Sequence, residues 1–412
     1  MSLGGGIVPS TSGEDKMRVV GTFSGIGGLE LPLHGGAHQT ALLCDWWAPS
    51  QQVLEERFPG TEIVGDIAEL AARGLPSDVD TLTAGFPCTD LSQAGRTAGI
   101  RGEQSGMVRY VFQLLREHPG VTTLVLENVR NMLVLDGGAA MAYLVEELNE
   151  LGFRWAYRLV DSRFTGVPQR RHRVLLVATR GDSPDPRHVL FADDQPEPDH
   201  ERGEHLRQDA FGFYWTEGLR GLGWAVDAVP PLKGGSTVGI PSPPGIWIPD
   251  APLGRRLLVP SIEQAEALQG FPRGWTKPAD LGGRNGPRWK LVGNAVTVGV
   301  TRWLVSRLEA PGALVVDVDG PPVGRRWPNA AWGDASGRWA VHASTWPVVE
   351  PYEHLTDVCD LDECQPLTPR GTAGFLERLR RGNLRRPADF ERDVAEHIEH
   401  LSARDSGLRL PV

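Results

Sequence analysis

Six short apolar runs, spaced by segments of helical periodicity, fill the first 180 residues and constrain the fold more than any other feature. They are RVVGT from residue 18, ALLCDW (41–46), TEIV (61–64), DTLTAGF (80–86), VTTLVLENV (121–129) and RVLLVAT (173–179). Runs of this length that are rich in branched side chains read as strands. SQQVLEERF, GMVRYVFQLLREH and MAYLVEELNELG lie between them, with apolar positions near helical spacing. Alternation of this kind predicts an α/β fold with a mainly parallel sheet, whose ligands sit beyond the carboxyl ends of the strands. The first run continues as FSGIGGLELPL, read as a tight glycine turn and then a helix.

The pattern is interrupted and then resumes. From Gly181 the chain turns to Pro, Gly, His and Asp, and PPLKGGSTVGIPSPPGIWIP carries turn formers in place of helix formers, which predicts a separate irregular or small-strand lobe. SIEQAEALQGF restores helical spacing, and WKLVGNAVTVGVTRWLVSRLEA reads as a strand or turn leading into a helix. The expected division is a first catalytic part at 18–180, a second lobe with its connection at 181–283, a return segment at 284–315 that completes the first domain, and a C-terminal extension at 316–412. In the extension GFLERLRRGNLRR and DFERDVAEHIEHL are helix candidates, and its role is not legible.

Lys and Arg number 42 against 52 Asp and Glu, a formal charge of −10, which argues against a protein that coats polyanions over its whole surface. A local basic groove is compatible with that balance, since five arginines and one aspartate lie between Val160 and Arg180. Cys44, Cys88, Cys359 and Cys364 are too scattered for a disulfide framework, and no compact Cys/His cluster suggests structural zinc. Without a signal-peptide pattern or an apolar run long enough to cross a bilayer, a cytoplasmic protein that binds no metal is expected.

The chemistry gathers at the strand ends. Phe23–Gly28 (FSGIGG) permits close approach of a ligand to the backbone, although a glycine turn taken alone is equally a structural device. Asp45 at the end of the second run can accept from ribose hydroxyls, the adjacent Trp46 can stack on adenine, and Asp66 repeats the arrangement after the third run. Cys88 in GFPCTDLS follows the fourth run, where a thiolate can be presented to a substrate. Glu127 and Asn128 lie at the end of the fifth run, and Arg171 and Arg173 follow Pro168 in VPQRRHR at the start of the sixth. A nucleophile, a carboxyl group and cationic donors at one cleft match what cytosine needs for attack at C6.

With FSGIGG, GFPC, ENV, PQRRHR, LQGFP and GNAV in this order, the chain between about Arg18 and Ala310 resembles the DNA cytosine-5 methyltransferases. The resemblance implies a Rossmann-like methyltransferase domain, a smaller target-recognition domain and S-adenosylmethionine as cofactor, leaving S-adenosylhomocysteine as product. It implies duplex DNA as the partner, with the target cytosine flipped out of the stack. It assigns Phe23, Ser24, Gly25, Gly27 and Gly28 to the cofactor loop, Asp45 to ribose, Trp46 to adenine stacking and Asp66 with Ile67 to the adenine edge. It places Asn294 and Val296 in the closing motif, and Gln269 to Pro272 in the segment that supports recognition. Cys88 becomes the nucleophile, Glu127 the partner of N3 and the amino group, Arg173 the residue that holds O2, and Arg171 its support. SQAGRTAGIRGEQSG matches a loop that closes over DNA, with Ser92, Arg96 and Arg101 as phosphate or closure contacts. Lys233, Ser236 and Thr237 are recognition candidates. A cognate restriction or defence protein and a monomeric enzyme complete the expectation, beside two alternatives: an RNA cytosine methyltransferase and a catalytically inactive DNA-binding or regulatory homologue.

Two departures stand out. The family usually carries Asp-Leu before the Phe of its first motif, where this chain has Gly21 and Thr22, and Gln after the catalytic Cys, where it has Thr89.

Overall fold

The computed structural model describes residues 16–34, 38–86, 106–216, 221–235, 242–280, 286–382, 384 and 386–405. Among these residues one sheet holds nine strands: β1 (Arg18–Thr22), β2 (Gln39–Cys44), β3 (Glu62–Val64), β4 (Thr81–Ala84), β5 (Thr123–Val129), β6 (Arg154–Asp161), β7 (His172–Thr179), β12 (Ala330–Asp334) and β13 (Gly337–Ala340). Their order is β13-β12-β6-β7-β5-β4-β1-β2-β3. The first four strands and β5 pair in parallel. β7, β6, β12 and β13 then follow antiparallel. The α/β class is as expected, with the parallel pairing confined to one half of the sheet.

Register explains where a ligand can sit. Val64, Cys44, Thr22, Ala84 and Leu126 lie in one row across the parallel half, so the segments that leave these strands emerge along a single edge. Strand order reverses between β1 and β4, which opens the crevice used for ligands in sheets of this kind. Because β7 runs antiparallel to β5, it begins where β5 ends, and Arg173 lies opposite Val129.

Helices α1 (Ala48–Arg57), α2 (Ile67–Arg73), α3 (Val108–Glu117) and α4 (Ala139–Glu150) connect or flank the strands. α3 shows why: Val108, Val111, Phe112 and Leu115 recur at helical spacing and are all buried. After the second lobe come α5 (Ile262–Leu268), α6 (Gly286–Asn294) and α7 (Val298–Glu309). Ser261 and Gln264 close a reciprocal capping box at the start of α5, worth about 1 kcal/mol. Leu124 and Leu126 of β5 pack with Leu114, Met141 and Leu144 on one face, while Val125 packs with Phe164, Trp303 and Leu304 on the other. A strand covered on both faces needs a continuous apolar run, and this is the run seen in the sequence.

Two local expectations are corrected. The segment after the glycine turn forms only a 3-10 turn at Leu31–Leu33, with Pro32 inside it. WKLVGN is helical as part of α6 and breaks at Ala295–Thr297 before α7, so neither a strand nor a simple turn precedes the last helix.

The second sheet is small and antiparallel, ordered β14-β11-β10-β8-β9 from β8 (Phe211–Phe213), β9 (Ala225–Val226), β10 (Gly245–Trp247), β11 (Leu257–Val259) and β14 (Gln365–Pro366). It is covered by α8 (Pro369–Arg381) and α9 (Ala388–Asp405), whose Phe375, Leu379, Phe390 and Val394 share a core with Phe213 and Trp247. C-terminal residues therefore enter both sheets, through β12 and β13 in one and β14 in the other.

Candidate active site

The chain leaves β1 through a backbone held in an unusual conformation. Phe23 has φ +54°, a left-handed geometry that is costly for an aromatic residue, and Gly25 follows at +58°. Ser24 N donates to Cys44 O at 3.0 Å, and Gly27 N to Ser24 O at 2.7 Å. The Asp45 carboxylate fastens this loop to the end of β2: Oδ2 accepts from Gly25 N at 2.8 Å and Oδ1 from Trp47 N at 3.0 Å. Burial pushes the Asp45 pKa up, and these two backbone donors oppose the shift. The glycines serve different ends. A Cβ on Gly27 would lie 2.3 Å from the Phe58 ring, and one on Gly28 would lie 2.8 Å from Val296, whereas Gly25 faces open space. Gly27 and Gly28 are needed for packing, and Gly25 leaves backbone open to a ligand.

Trp46 is 70% exposed beyond the end of β2. Its neighbour Trp47 packs beneath the Lys290 ammonium, 4.6 Å from the ring centre. Asp66 caps α2, accepting from Ala68 N at 2.8 Å, and the Ile67 side chain is in the core.

A second group forms where β5 meets β7. Arg173 Nε lies 2.7 Å from Glu127 Oε1, a close ion pair between two largely buried side chains. Arg173 Nη1 also donates to His172 O at 2.8 Å. Desolvation lowers the Arg173 pKa, and Glu127 opposes that shift. Asn128 donates to Phe86 O at 3.1 Å and accepts from Val129 N at 2.8 Å, so it fixes the backbone two residues before Cys88. Cys88, Ser92, Arg96, Arg101, Ser236 and Thr237 lie outside the described residues. Lys233 is described, with its ammonium 3.7 Å from the Tyr214 ring centre.

A sequence profile of the family described as C-5 cytosine-specific DNA methylase matches residues 17–210. The Type II methyltransferase M2.BsuMI of Bacillus subtilis (strain 168) is 44% identical over 373 residues, which cover 89% of this chain and 94% of that protein. The chain belongs to this family. It is a DNA (cytosine-5)-methyltransferase that uses S-adenosylmethionine and acts on duplex DNA. The Type II methyltransferase M.BsuFI of Bacillus subtilis is 30% identical over 167 residues, 40% of each chain. The crystal structure of S. pombe Dnmt2 methyltransferase shares the fold, with a TM-score of 0.51, 15% identity and coverage of 72% of this chain and 99% of that one.

Features at the end of β1 fit the methyltransferase cofactor. Open backbone at Gly25, the Asp45 carboxylate and the exposed Trp46 ring stand beside Ser24 Oγ, a buried hydroxyl without a hydrogen-bond partner. That orphaned atom awaits a polar group.

Sequence reasoning did not find the network that ties the methyltransferase motifs together. Arg171 is fully buried and points away from solvent: Nη1 donates to Leu232 O at 3.0 Å, and Nη2 to Gly293 O at 3.0 Å and Ala295 O at 2.7 Å. Gln269 Nε2 donates to Val292 O at 3.0 Å and Ala295 O at 3.2 Å, while its Oε1 accepts from Gln169 Nε2 at 3.0 Å and Thr297 Oγ1 at 2.9 Å. Gln169 in turn accepts from Leu232 N at 3.0 Å. The segment holding Asn294 and Val296 is thereby joined both to the PQRRHR motif and to the approach to Lys233. A Cβ on Gly234 would lie 2.4 Å from Asn294 Oδ1, so the Asn294 amide abuts that approach. The clue in the sequence was amide residues inside otherwise apolar motifs, which must find partners when buried.

Proposed function

We propose that Cys88 is the nucleophile of this methyltransferase, that Glu127 engages N3 and the exocyclic amino group of a flipped cytosine, and that Arg173 holds its O2. The observation that carries this reading is the Glu127–Arg173 ion pair beside Asn128, whose amide grips the backbone leading to Cys88. A carboxyl group and a guanidinium that face each other at a strand edge suit the two polar edges of the base. In the reaction the Cys88 thiolate adds to C6 as N3 is protonated with assistance from Glu127. The C5 carbon takes the methyl group and loses its proton, N3 returns its proton to Glu127, and the C6–S bond breaks to restore the thiolate. S-adenosylmethionine supplies an electrophilic methyl carbon. Arg171 acts from behind, positioning Arg173 and the Leu232 and Gly293–Ala295 backbone.

The cofactor surface in this reading comprises Phe23, Ser24, Gly25, Gly27, Gly28, Asp45, Trp46, Asp66, Ile67, Asn294 and Val296. Ser92, Arg96, Arg101, Lys233, Ser236 and Thr237 contact DNA. We assign catalysis to residues 18–180 with 284–315, and recognition to 181–283, with residues from β14 onward supporting the recognition sheet. By analogy with the Type II methyltransferases it resembles, the enzyme acts as a monomer that protects DNA from a cognate restriction protein.

Transfer of labelled methyl to duplex DNA of mixed sequence, mapped at base resolution beside a Cys88→Ala control, tests the assignment. Labelling at C5 of cytosine in one sequence context, absent from the control, is expected. Methylation that survives in the control would overturn the role given to Cys88.

A further inference from the structure

A carboxyl group that no motif contains lies beneath the cofactor loop. Glu30 is fully buried in the turn that follows Gly28. Its Oε1 accepts from Thr83 Oγ1 at 2.5 Å, at the end of β4, and its Oε2 is buried without a hydrogen-bond partner. Among the described residues no lysine, arginine or histidine forms an ion pair with it. A second orphaned atom, Ser24 Oγ, belongs to the same spot: a Cβ built on Gly21 would stand 2.6 Å from Glu30 Oε1 and 2.6 Å from Ser24 Oγ. Gly21 is the position where the family usually carries the aspartate. The carboxylate missing from β1 has thus been replaced in space by one that arrives from the turn, and the absent side chain at Gly21 is what leaves room for it.

We propose that the free oxygen of Glu30, together with Ser24 Oγ, receives the α-ammonium group at the methionine end of S-adenosylmethionine. This rests on the reading of the β1 loop as the cofactor site. An isolated carboxyl group in an apolar setting is costly to ionise, and burial raises the Glu30 pKa to about 7. An arriving ammonium supplies the missing counter-charge, and the carboxyl proton passes to solvent. The arrangement selects for a cationic amino-acid end on the nucleoside, which adenosine and its thioethers without that end lack.

Equilibrium binding to the full chain distinguishes the alternatives, using S-adenosylmethionine, S-adenosylhomocysteine and 5′-methylthioadenosine, of which the last has no amino-acid end. Glu30→Gln is expected to weaken the first two ligands by roughly tenfold or more, as befits a lost charge-assisted hydrogen bond, and to leave the third unchanged. In a Gly21→Asp/Glu30→Ala double variant, a carboxylate restored on the strand is expected to recover binding of S-adenosylhomocysteine; this arm also serves if Glu30→Gln does not fold. Equal weakening of all three ligands, or of none, would overturn the proposal in favour of a purely structural Glu30. Weakening of S-adenosylmethionine alone would overturn it in favour of a contact with the sulfonium. A folded double variant that binds 5′-methylthioadenosine but not S-adenosylhomocysteine would also count against it. Should the unaltered protein bind none of the three, the cofactor-site reading itself fails, an outcome separate from any effect of the Glu30 variants.

Discussion

Asn128 commits its amide to the backbone on both sides, to Phe86 O and Val129 N, and this places it under the approach to Cys88 without exposing it to a base. Asn128→Ala leaves a buried carbonyl without its donor; methyl transfer is expected to fall by roughly tenfold or more, the equivalent of about 1.5 kcal/mol, while the dissociation constant for S-adenosylhomocysteine stays within about threefold, well under 1 kcal/mol. Single-turnover kinetics beside equilibrium binding separates the two effects. Glu30 makes a prediction about pH. Its folded pKa of about 7 exceeds its ordinary value of 4.5, so the ligand-free native state holds the extra proton between those limits. The contribution of the neutral acid to stability is complete below the lower value and is lost as pH rises through the upper one. The unfolding free energy of Glu30→Gln relative to the unaltered protein is therefore expected to rise by up to about 3 kcal/mol between pH 5 and 8, measured by urea denaturation at each pH. A difference independent of pH would refute the burial argument.

At the level of elements, β7 decides the site. Its antiparallel course brings the start of one strand to the end of another, which is why Arg173 meets Glu127 although the two lie far apart in the chain. The motifs were legible in the sequence because each needs particular residue types at a strand end, and the strands because burial on two faces demands continuous apolar runs. Strand direction was not legible, since an apolar run reads the same in either sense. WKLVGN reads as a strand or turn because glycine and asparagine stand near its end, whereas in the fold the carbonyls there are satisfied by Arg171 and Gln269. Glu30 is not legible in the sequence because its meaning depends on Gly21 and Thr83, neighbours only in the folded chain. Gln269→Ala removes four hydrogen bonds at once, leaving Gln169 Nε2 with Leu268 O and Thr297 Oγ1 with Ser162 Oγ as their remaining partners. A loss of about 2–4 kcal/mol in unfolding free energy is expected, since each of the four buried hydrogen bonds contributes about 0.5–1.5 kcal/mol, together with weaker cofactor binding through the loosened Asn294–Val296 segment. Denaturant titration and cofactor binding check the two parts; unchanged stability would show that the network is dispensable.

For the molecule as a whole, the C-terminal segment is a structural component of both sheets. Phe390 touches Phe213, Trp224, Trp247 and Phe375 in ring-to-ring contacts at 5.0–6.2 Å. Phe390→Ala is expected to cost about 3–5 kcal/mol, read as a lowered denaturation midpoint. Removal of residues 369–405 is expected to drive the protein out of the soluble fraction, because Phe213 and Trp247 lose their cover; a soluble, active truncation would show that the small sheet folds unaided. The same weave has a consequence for biosynthesis. β6 acquires its neighbour β12, and β11 its neighbour β14, only after long intervening stretches have been made. At about 5–20 residues per second, a ribosome leaves those edges unpaired for many seconds, with backbone groups open to any passing strand. Neither sheet can close until the last part of the chain has emerged, so a nascent enzyme released early by a premature stop is a candidate for aggregation and not a smaller working methyltransferase.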